Sequence, residues 1–297
     1  MSSDRPARLG LLDRVPRSVR IVEVGPRDGL QNEPGTVSAD AKVAFVEALA
    51  EAGLSHIEVT SFVSPRKVPQ MQDASEVFRR IAKKPGVTYT ALVPNEEGLR
   101  RAIEAGVQSI AVFTAATDTF NQKNIGCTIE ESFARIRAVI ASAASAGLKV
   151  RGYVSVAFTC PYEGLVPPSK SLEVIRRLRE LGVPAISIGD TLGAAFPHQV
   201  DRLLEMVQAE LGIEGIALHL HDTYRRALAN ALVGLQHGVE ELDASAGGLG
   251  GCPFAPGARG NVATEELVAF LEGMGVATGV DVVKVQSASA ALRAALH

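Results

Sequence analysis

One local event recurs seven times along the chain: a helix-like periodicity ends on a glycine, and a β-branched run begins two or three residues later. The junctions are EAGLSHIEV at Gly53, KPGVTYTALV at Gly86, EAGVQSIAVF at Gly106, SAGLKVRGYV at Gly147, ELGVPAISIG at Gly182, ELGIEGIAL at Gly212 and HGVEELDAS at Gly238. Glycine suits that position because helices commonly end on a left-handed residue, a conformation that costs glycine little. Adding the run VRIVEVG (Val19 to Gly25) gives eight strands. They alternate with helices expected to start near Ser38, Asp73, Asn95, Thr128, Ser169, Pro197, Arg225 and Thr264. The first five of these residues are of types that cap helix N-termini. Strict strand–helix alternation implies a parallel sheet. Eight units in 297 residues imply a closed (β/α)8 TIM barrel in the α/β class. The barrel is expected to take up 1–297 as a single catalytic domain, with strand one starting near 19 and an extra C-terminal helix over 280–297. An open doubly wound sheet is the alternative, but no GxGxxG opens a helix after the first strand.

Composition removes several function classes. A formal charge of −3 leaves no basic footprint for nucleic acid. No apolar run approaches the roughly 20 residues that span a bilayer. Arg5, Arg8, Arg14, Arg17 and Arg20 give the N-terminus a transit-peptide look, but Asp4 and Asp13 argue against that reading. Cys127, Cys160 and Cys252 are odd in number, widely spaced and without a CxxC pair, which fits a reducing cytoplasm.

The stretch IALHLHD, Ile216 to Asp222, concentrates the chemistry. Residues i and i+2 of a strand share a face, so His219 and His221 project side by side. Imidazole pairs suit several divalent metals. Active sites of such barrels lie at the C-terminal ends of the strands, so one rim is expected to gather the candidates. These are Arg27 and Asp28 after strand one, Glu58 and Ser61 on strand two, Arg151 and Tyr153 on strand five, and Asp190 and Thr191 after strand six. Strand seven supplies the histidines, and strand eight leads into GGLGGCPFAPGARGN with Cys252 and Asn261. Asp28, His219 and His221, completed by an amide oxygen such as that of Asn261, make a mixed N/O site for a divalent cation, Mg²⁺ or Mn²⁺, with zinc also open. Arg27 presents a permanently charged fork suited to an oxyanion. Ser61, Arg151, Tyr153 and Thr191 are expected to contact substrate. Glu58 and Asp190 are expected to do so as acids. Cys252 sits in a glycine-rich loop that can bring a thiol over the site.

The segments VEVGPRDGLQNE (Val22 to Glu33), IEVTSFVSPRKVPQM (Ile57 to Met71), VRGYVSVAFTCPYEG (Val150 to Gly164), HLHDTY (His219 to Tyr224) and GGLGGCPFA (Gly247 to Ala255) resemble the 3-hydroxy-3-methylglutaryl-CoA lyase family. The resemblance runs from about Val19 to Asp281. It implies cleavage of that acyl-CoA to acetyl-CoA and acetoacetate. Asp28, His219, His221 and Asn261 match the family's metal ligands, Arg27 its enolate-stabilising residue and Cys252 its mobile-loop catalytic cysteine. Glu58 and Asp190 match acids at the same rim. A homodimer or higher homo-oligomer is expected. Two places depart from the family pattern: Arg225 and Arg226 follow HDTY where glycine and glutamine are usual, and Thr114 stands where glycine is common. The alternatives are a lyase for a related 3-hydroxy-3-alkylglutaryl-CoA or other 3-hydroxyacyl-CoA, and an acetyl-CoA-dependent condensing enzyme.

Overall fold

All seven junction glycines take positive φ, between +69° at Gly147 and +94° at Gly53, in the computed structural model, which describes residues 13–33, 35–250 and 259–296. At Gly53 a side chain would also meet the Gly279 carbonyl, 2.3 Å from where a Cβ would stand. Eight parallel strands follow: β1 (Arg20–Glu23), β2 (His56–Ser61), β3 (Thr88–Leu92), β4 (Ser109–Ala115), β5 (Lys149–Ser155), β6 (Ala185–Asp190), β7 (Ile216–Leu220) and β8 (Glu241–Ala244). They close into a barrel in sequence order, with β8 pairing β1. A short antiparallel hairpin, Thr159–Cys160 with Gly164–Leu165, follows β5.

Side-chain alternation divides each strand between two environments. Ile21, Ile57, Ile110, Val112, Ile186, Ile188, Leu218 and Leu242 face outward and join the apolar core beneath the helices. The inward face is largely polar, carrying Glu58, Arg151, Tyr153, Ser187, His219 and Asp243, all buried. Register sets Asp243 of β8 beside His219 of β7.

The helices are α1 (Ala39–Glu51), α2 (Ala74–Arg80), α3 (Glu96–Glu104), α4 (Asp118–Ile125), α5 (Ile129–Ser145), α6 (Pro168–Glu180), α7 (Pro197–Leu211), α8 (Ala227–Gln236), α9 (Thr264–Gly273) and α10 (Val282–Ala294). Ser38, Asn95 and Thr128 cap α1, α3 and α5 through their side chains, Thr128 in a full capping box with Glu131. Three expectations are corrected. Asp73 precedes α2 but does not cap it, because its carboxylate is taken by Lys42 Nζ at 2.8 and 2.9 Å. Ser169 lies inside α6, which starts at Pro168, where proline's fixed φ suits a first turn. α8 starts at Ala227 rather than Arg225, because Arg225 is left-handed (φ +59°) and Asp222 Oδ1 accepts from Ala227 N at 3.1 Å. α4 is an addition not anticipated from the periodicity. The extra C-terminal helix, α10, packs on α1 and is capped by Asp281, whose Oδ1 accepts from Lys284 N at 3.1 Å. Among the described residues no helix is long and apolar enough to cross a membrane.

The closing seam is tied by Glu23, which is wholly buried. Its Oε1 accepts from Gly25 N (2.8 Å) and Ala246 N (2.9 Å), and its Oε2 accepts from Thr264 Oγ1 (2.6 Å). Burial pushes its pKa up to about 7 despite these donors. Between the ordinary carboxyl pKa and 7 the folded protein therefore holds a proton that the unfolded chain releases. Stability contributed by this group is present at low pH and is lost as pH rises through 7, with a slope of up to about 1.4 kcal/mol per pH unit. A glutamine oxygen accepts from the same two backbone N–H groups, its NH2 donates to the Thr264 hydroxyl, and it does not ionise, so Glu23→Gln should flatten that fall. Urea unfolding of both proteins from pH 4.5 to 7.5 measures it; parallel profiles would mean Glu23 is not the titrating group.

Candidate active site

Arg27 and Asp28 leave β1 on a single π-helical turn, Gly25–Gly29, in which the N–H groups of Arg27, Asp28 and Gly29 all point at Val24 O (3.2, 2.7 and 3.2 Å). Such turns are uncommon and concentrate at functional sites. The turn needs glycine at 25, where a Cβ would stand 2.6 Å from Glu23 Oε1. It aims both charged side chains inward over the barrel mouth.

There the Arg27 guanidinium is held between two acids. Nε donates to Glu58 Oε1 and Nη1 to Asp28 Oδ1, each at 2.5 Å. Glu58 also accepts from the Tyr153 hydroxyl, which in turn accepts from Arg151 Nη1 at 2.6 Å. Burial pushes the Tyr153 phenol well above its ordinary pKa, so it keeps its proton and donates. Burial also opposes charge on Asp28, but Arg27, His219 and His221 outweigh it and hold the carboxyl well below the usual range. Burial, helped by the neighbouring His219, brings His221 down to about 3, so its ring is neutral.

One donor atom each from Asp28, His219 and His221 lies within 4.8 Å of the others. His219 Nε2 stands 3.9 Å from Asp28 Oδ2, and the two imidazole centroids are 5.3 Å apart. Asn261 reaches the same place, pairing by backbone with His221 and donating Nδ2 to Asp28 Oδ2 at 2.8 Å. The cluster opens into a cavity of about 480 Å³, a size usual for small-molecule sites. Arg27, Tyr153 and Thr191 line the cavity, as do the apolar Leu92, Phe113, Phe120 and Ile136 and the basic Lys67 and Arg135.

A sequence model of the HMGL-like family matches residues 18–292. The human mitochondrial hydroxymethylglutaryl-CoA lyase is 49% identical over 288 residues, covering 97% of this chain and 89% of that protein. The chain belongs to the hydroxymethylglutaryl-CoA lyase family. The rat cytoplasmic 3-hydroxy-3-methylglutaryl-CoA lyase is 53% identical over 277 residues, covering 93% and 81% of the two chains. A lyase of the family from Acinetobacter baumannii, solved with coenzyme A and 3-methylmalate, superposes with a TM-score of 0.89 at 36% identity, over 94% of this chain and 91% of that one.

Within this lyase framework the predicted residues divide by depth. Arg27, Asp28, Tyr153, Thr191, His219 and His221 line the cavity. Glu58 lies just beneath Arg27. Arg151 sits a layer deeper than Tyr153, engaged by Asp243 and Glu241. Ser61 is fully buried with its hydroxyl unpartnered. Asp190 shares the outward face of Ile186 and Ile188, and its oxygens accept from Ala194 N and Ala195 N at 3.1 Å each. Burial raises its pKa to about 6. Cys252 lies outside the described residues. Of the departures, Arg225 is largely exposed, with Asp222 at 4.0 Å, and Arg226 stacks 3.8 Å from the Phe196 ring centroid and donates to Ala194 O. Thr114 faces outward onto Ser132, and its Oγ1 lies 2.7 Å from Ser132 Oγ; Ser132 itself lines the cavity.

Sequence reading missed Asp243, Lys67 and Arg135. Asp243 carried a signal: Glu241 and Asp243 alternate with Leu242 and Ala244, an acidic inner face on a barrel strand. The residues present fit a divalent cation. A depressed carboxylate and two imidazoles form a suitable donor set, and His221 Nδ1 is buried with no hydrogen-bond partner, a vacancy native proteins rarely leave unexplained.

Glu58→Ala removes the shared partner of Arg27 and Tyr153. Breaking one side of a buried ion pair typically costs about 3–5 kcal/mol, and unfolding in urea should show a loss of that order with an unchanged m-value. A loss under about 1 kcal/mol, the range of exposed pairs, would show that solvent screens this one.

Proposed function

We propose that the chain, as one barrel domain, cleaves 3-hydroxy-3-methylglutaryl-CoA to acetyl-CoA and acetoacetate with a bound Mg²⁺ or Mn²⁺. The observation that carries this reading is the placement of Arg27 in contact with Asp28, beside His219 and His221, on the wall of the cavity in a member of this lyase family. Such a cation supplies Lewis acidity and orients substrate oxygens. Asp28, His219, His221 and, after a half-turn of its amide, Asn261 are the residues to hold it.

The chemistry asks four things of the protein. The C3 hydroxyl of the substrate gives up its proton to a base at the cluster end of the cavity. The C2–C3 bond breaks, C3 becomes a ketone carbon, and the bonding pair moves into the thioester as an enolate. Arg27, kept rigid by Glu58 and Asp28, faces that new charge; preorganised donors of this kind act on the transition state more than on bound substrate. The enolate carbon then takes a proton, a step for which the Cys252 thiol is the candidate on sequence grounds. Tyr153 and Thr191 contact substrate from the wall. Glu58, Arg151 and Ser61 support that wall from below, and Asp190 fixes the loop that follows Thr191. The apolar side chains of the cavity, together with Lys67 and Arg135, suit the chemistry of a coenzyme A arm, which has apolar and anionic parts. A cytoplasmic setting rests on the cysteine pattern, with Cys127 and Cys160 free and buried, although relatives are named for both cytoplasm and mitochondrion. A homodimer or higher homo-oligomer is carried over from the sequence reading.

Incubation with 3-hydroxy-3-methylglutaryl-CoA and Mg²⁺ or Mn²⁺ should yield acetyl-CoA and acetoacetate in equal amounts by mass spectrometry. EDTA should abolish turnover, and either cation should restore it. A cation-loaded protein that yields neither product overturns the reading. Arg27→Gln should lower kcat by roughly 10²–10³ with a much smaller change in KM; a defect confined to KM would make Arg27 a binding residue.

A further inference from the structure

The two histidines of the cluster are supported unequally. His221 Nδ1 is buried and has no hydrogen-bond partner. His219 Nδ1, by contrast, lies 3.2 Å from Asp243 Oδ2, leaving Nε2 on the side of Asp28. Asp243 is itself fully engaged. Arg151 Nη2 donates to Oδ1 at 2.5 Å, Arg151 Nη1 to Oδ2 at 3.3 Å, and the Ser187 hydroxyl to Oδ2 at 2.9 Å. A carboxylate gripped at both oxygens by one guanidinium is an anion, and an anion can only accept. The hydrogen between Asp243 and His219 therefore belongs to Nδ1, and Nε2 is the nitrogen left free to meet a cation. Register makes the contact unavoidable, since Asp243 and His219 are Cα partners on adjacent strands and point to the same inner face.

We propose that Asp243, held by Arg151 and Ser187, is a positioning residue that locks the His219 ring in the tautomer and orientation presenting Nε2 to a divalent cation. The proposal rests on the reading that Asp28, His219 and His221 bind that cation. Carboxylate partners of metal-bound histidines commonly set ring orientation and basicity, and their loss costs about 10–100-fold in affinity or activity. Arg151 has a second duty here. Its Nη1 also donates to the Tyr153 hydroxyl, which supports Glu58 and through it Arg27. The cation side of the cavity and the arginine side thus share one buried guanidinium beneath the floor. His219 is the ligand braced by a carboxylate.

Manganese affinity, read as free Mn²⁺ by electron paramagnetic resonance, tests this without any turnover. Asp243→Asn should weaken Mn²⁺ binding about 10–100-fold while the cation-free variant still unfolds cooperatively. Ser187→Ala, which removes one donor and leaves Arg151 paired, should weaken it a few-fold. In cation-free parent protein, at a pH where the ring is neutral, ¹⁵N spectra assigned with His219→Gln should show Nδ1 protonated and Nε2 bare. Asp243→Asn should show both tautomers. Equal Mn²⁺ affinity in the parent and a folded Asp243→Asn protein, or a neutral parent ring protonated at Nε2 rather than Nδ1, overturns the proposal and leaves the cation reading standing. A parent that binds no Mn²⁺ overturns the cation reading and the proposal with it. Should Asp243→Asn not fold, the parent tautomer and the Ser187→Ala affinity decide.

Discussion

The ion pair between Arg151 and Asp243 is the contact on which the interior depends. Most barrels of this class fill their axis with layers of branched aliphatic side chains. Here the same volume holds a guanidinium, two carboxylates, a phenol and an imidazole in one connected set. Charges taken out of water are tolerable only when their partners are complete and well aligned. Each member therefore has little freedom, and little freedom is what a preorganised site requires. The arrangement exchanges stability at the axis for fixed direction at the rim.

Stability comes from elsewhere. The outward faces of the strands carry Ile21, Ile57, Ile110, Ile186, Leu218 and Leu242 into a continuous apolar layer under the helices. The chain thus keeps a conventional core outside the barrel and an ionic one inside it. Alternation along each strand is the only device needed to separate them.

That alternation also explains which parts of the molecule were legible in the sequence. The closing glycines and the paired histidines are local signals, and both were found where local reasoning put them. Ser38, Asn95 and Thr128 cap their helices for the same reason. Asp73 fails to cap because Lys42, far off in sequence, competes for it, and no local pattern announces such a rival. Asp190 was readable in principle: it shares parity with Ile186 and Ile188 and so faces away from the cavity. Arg151 was expected at the rim in contact with substrate, but its depth follows from a register with neighbouring strands that sequence does not display. Asp243 was readable as part of an acidic inner face, but its pairing with His219 shows only once β7 lies beside β8. α4 escaped notice because eight residues with a polar surface leave too short a period to read.

The ties made by Glu23 have a consequence for how the molecule comes into being. Ala246 and Thr264 are 223 and 241 residues downstream of the carboxylate they meet. Chains are made and begin to fold from the N-terminus, so Arg27 and Asp28 leave the ribosome long before the strands that complete their surroundings. Contacts of such sequence separation form late, after the entropy of a long loop has been overcome. A nascent chain therefore carries the arginine and its neighbouring carboxylate without the histidine cluster. Neither half is assembled against the other until the last strand closes the ring. Competence at the mouth therefore waits on completion of the barrel.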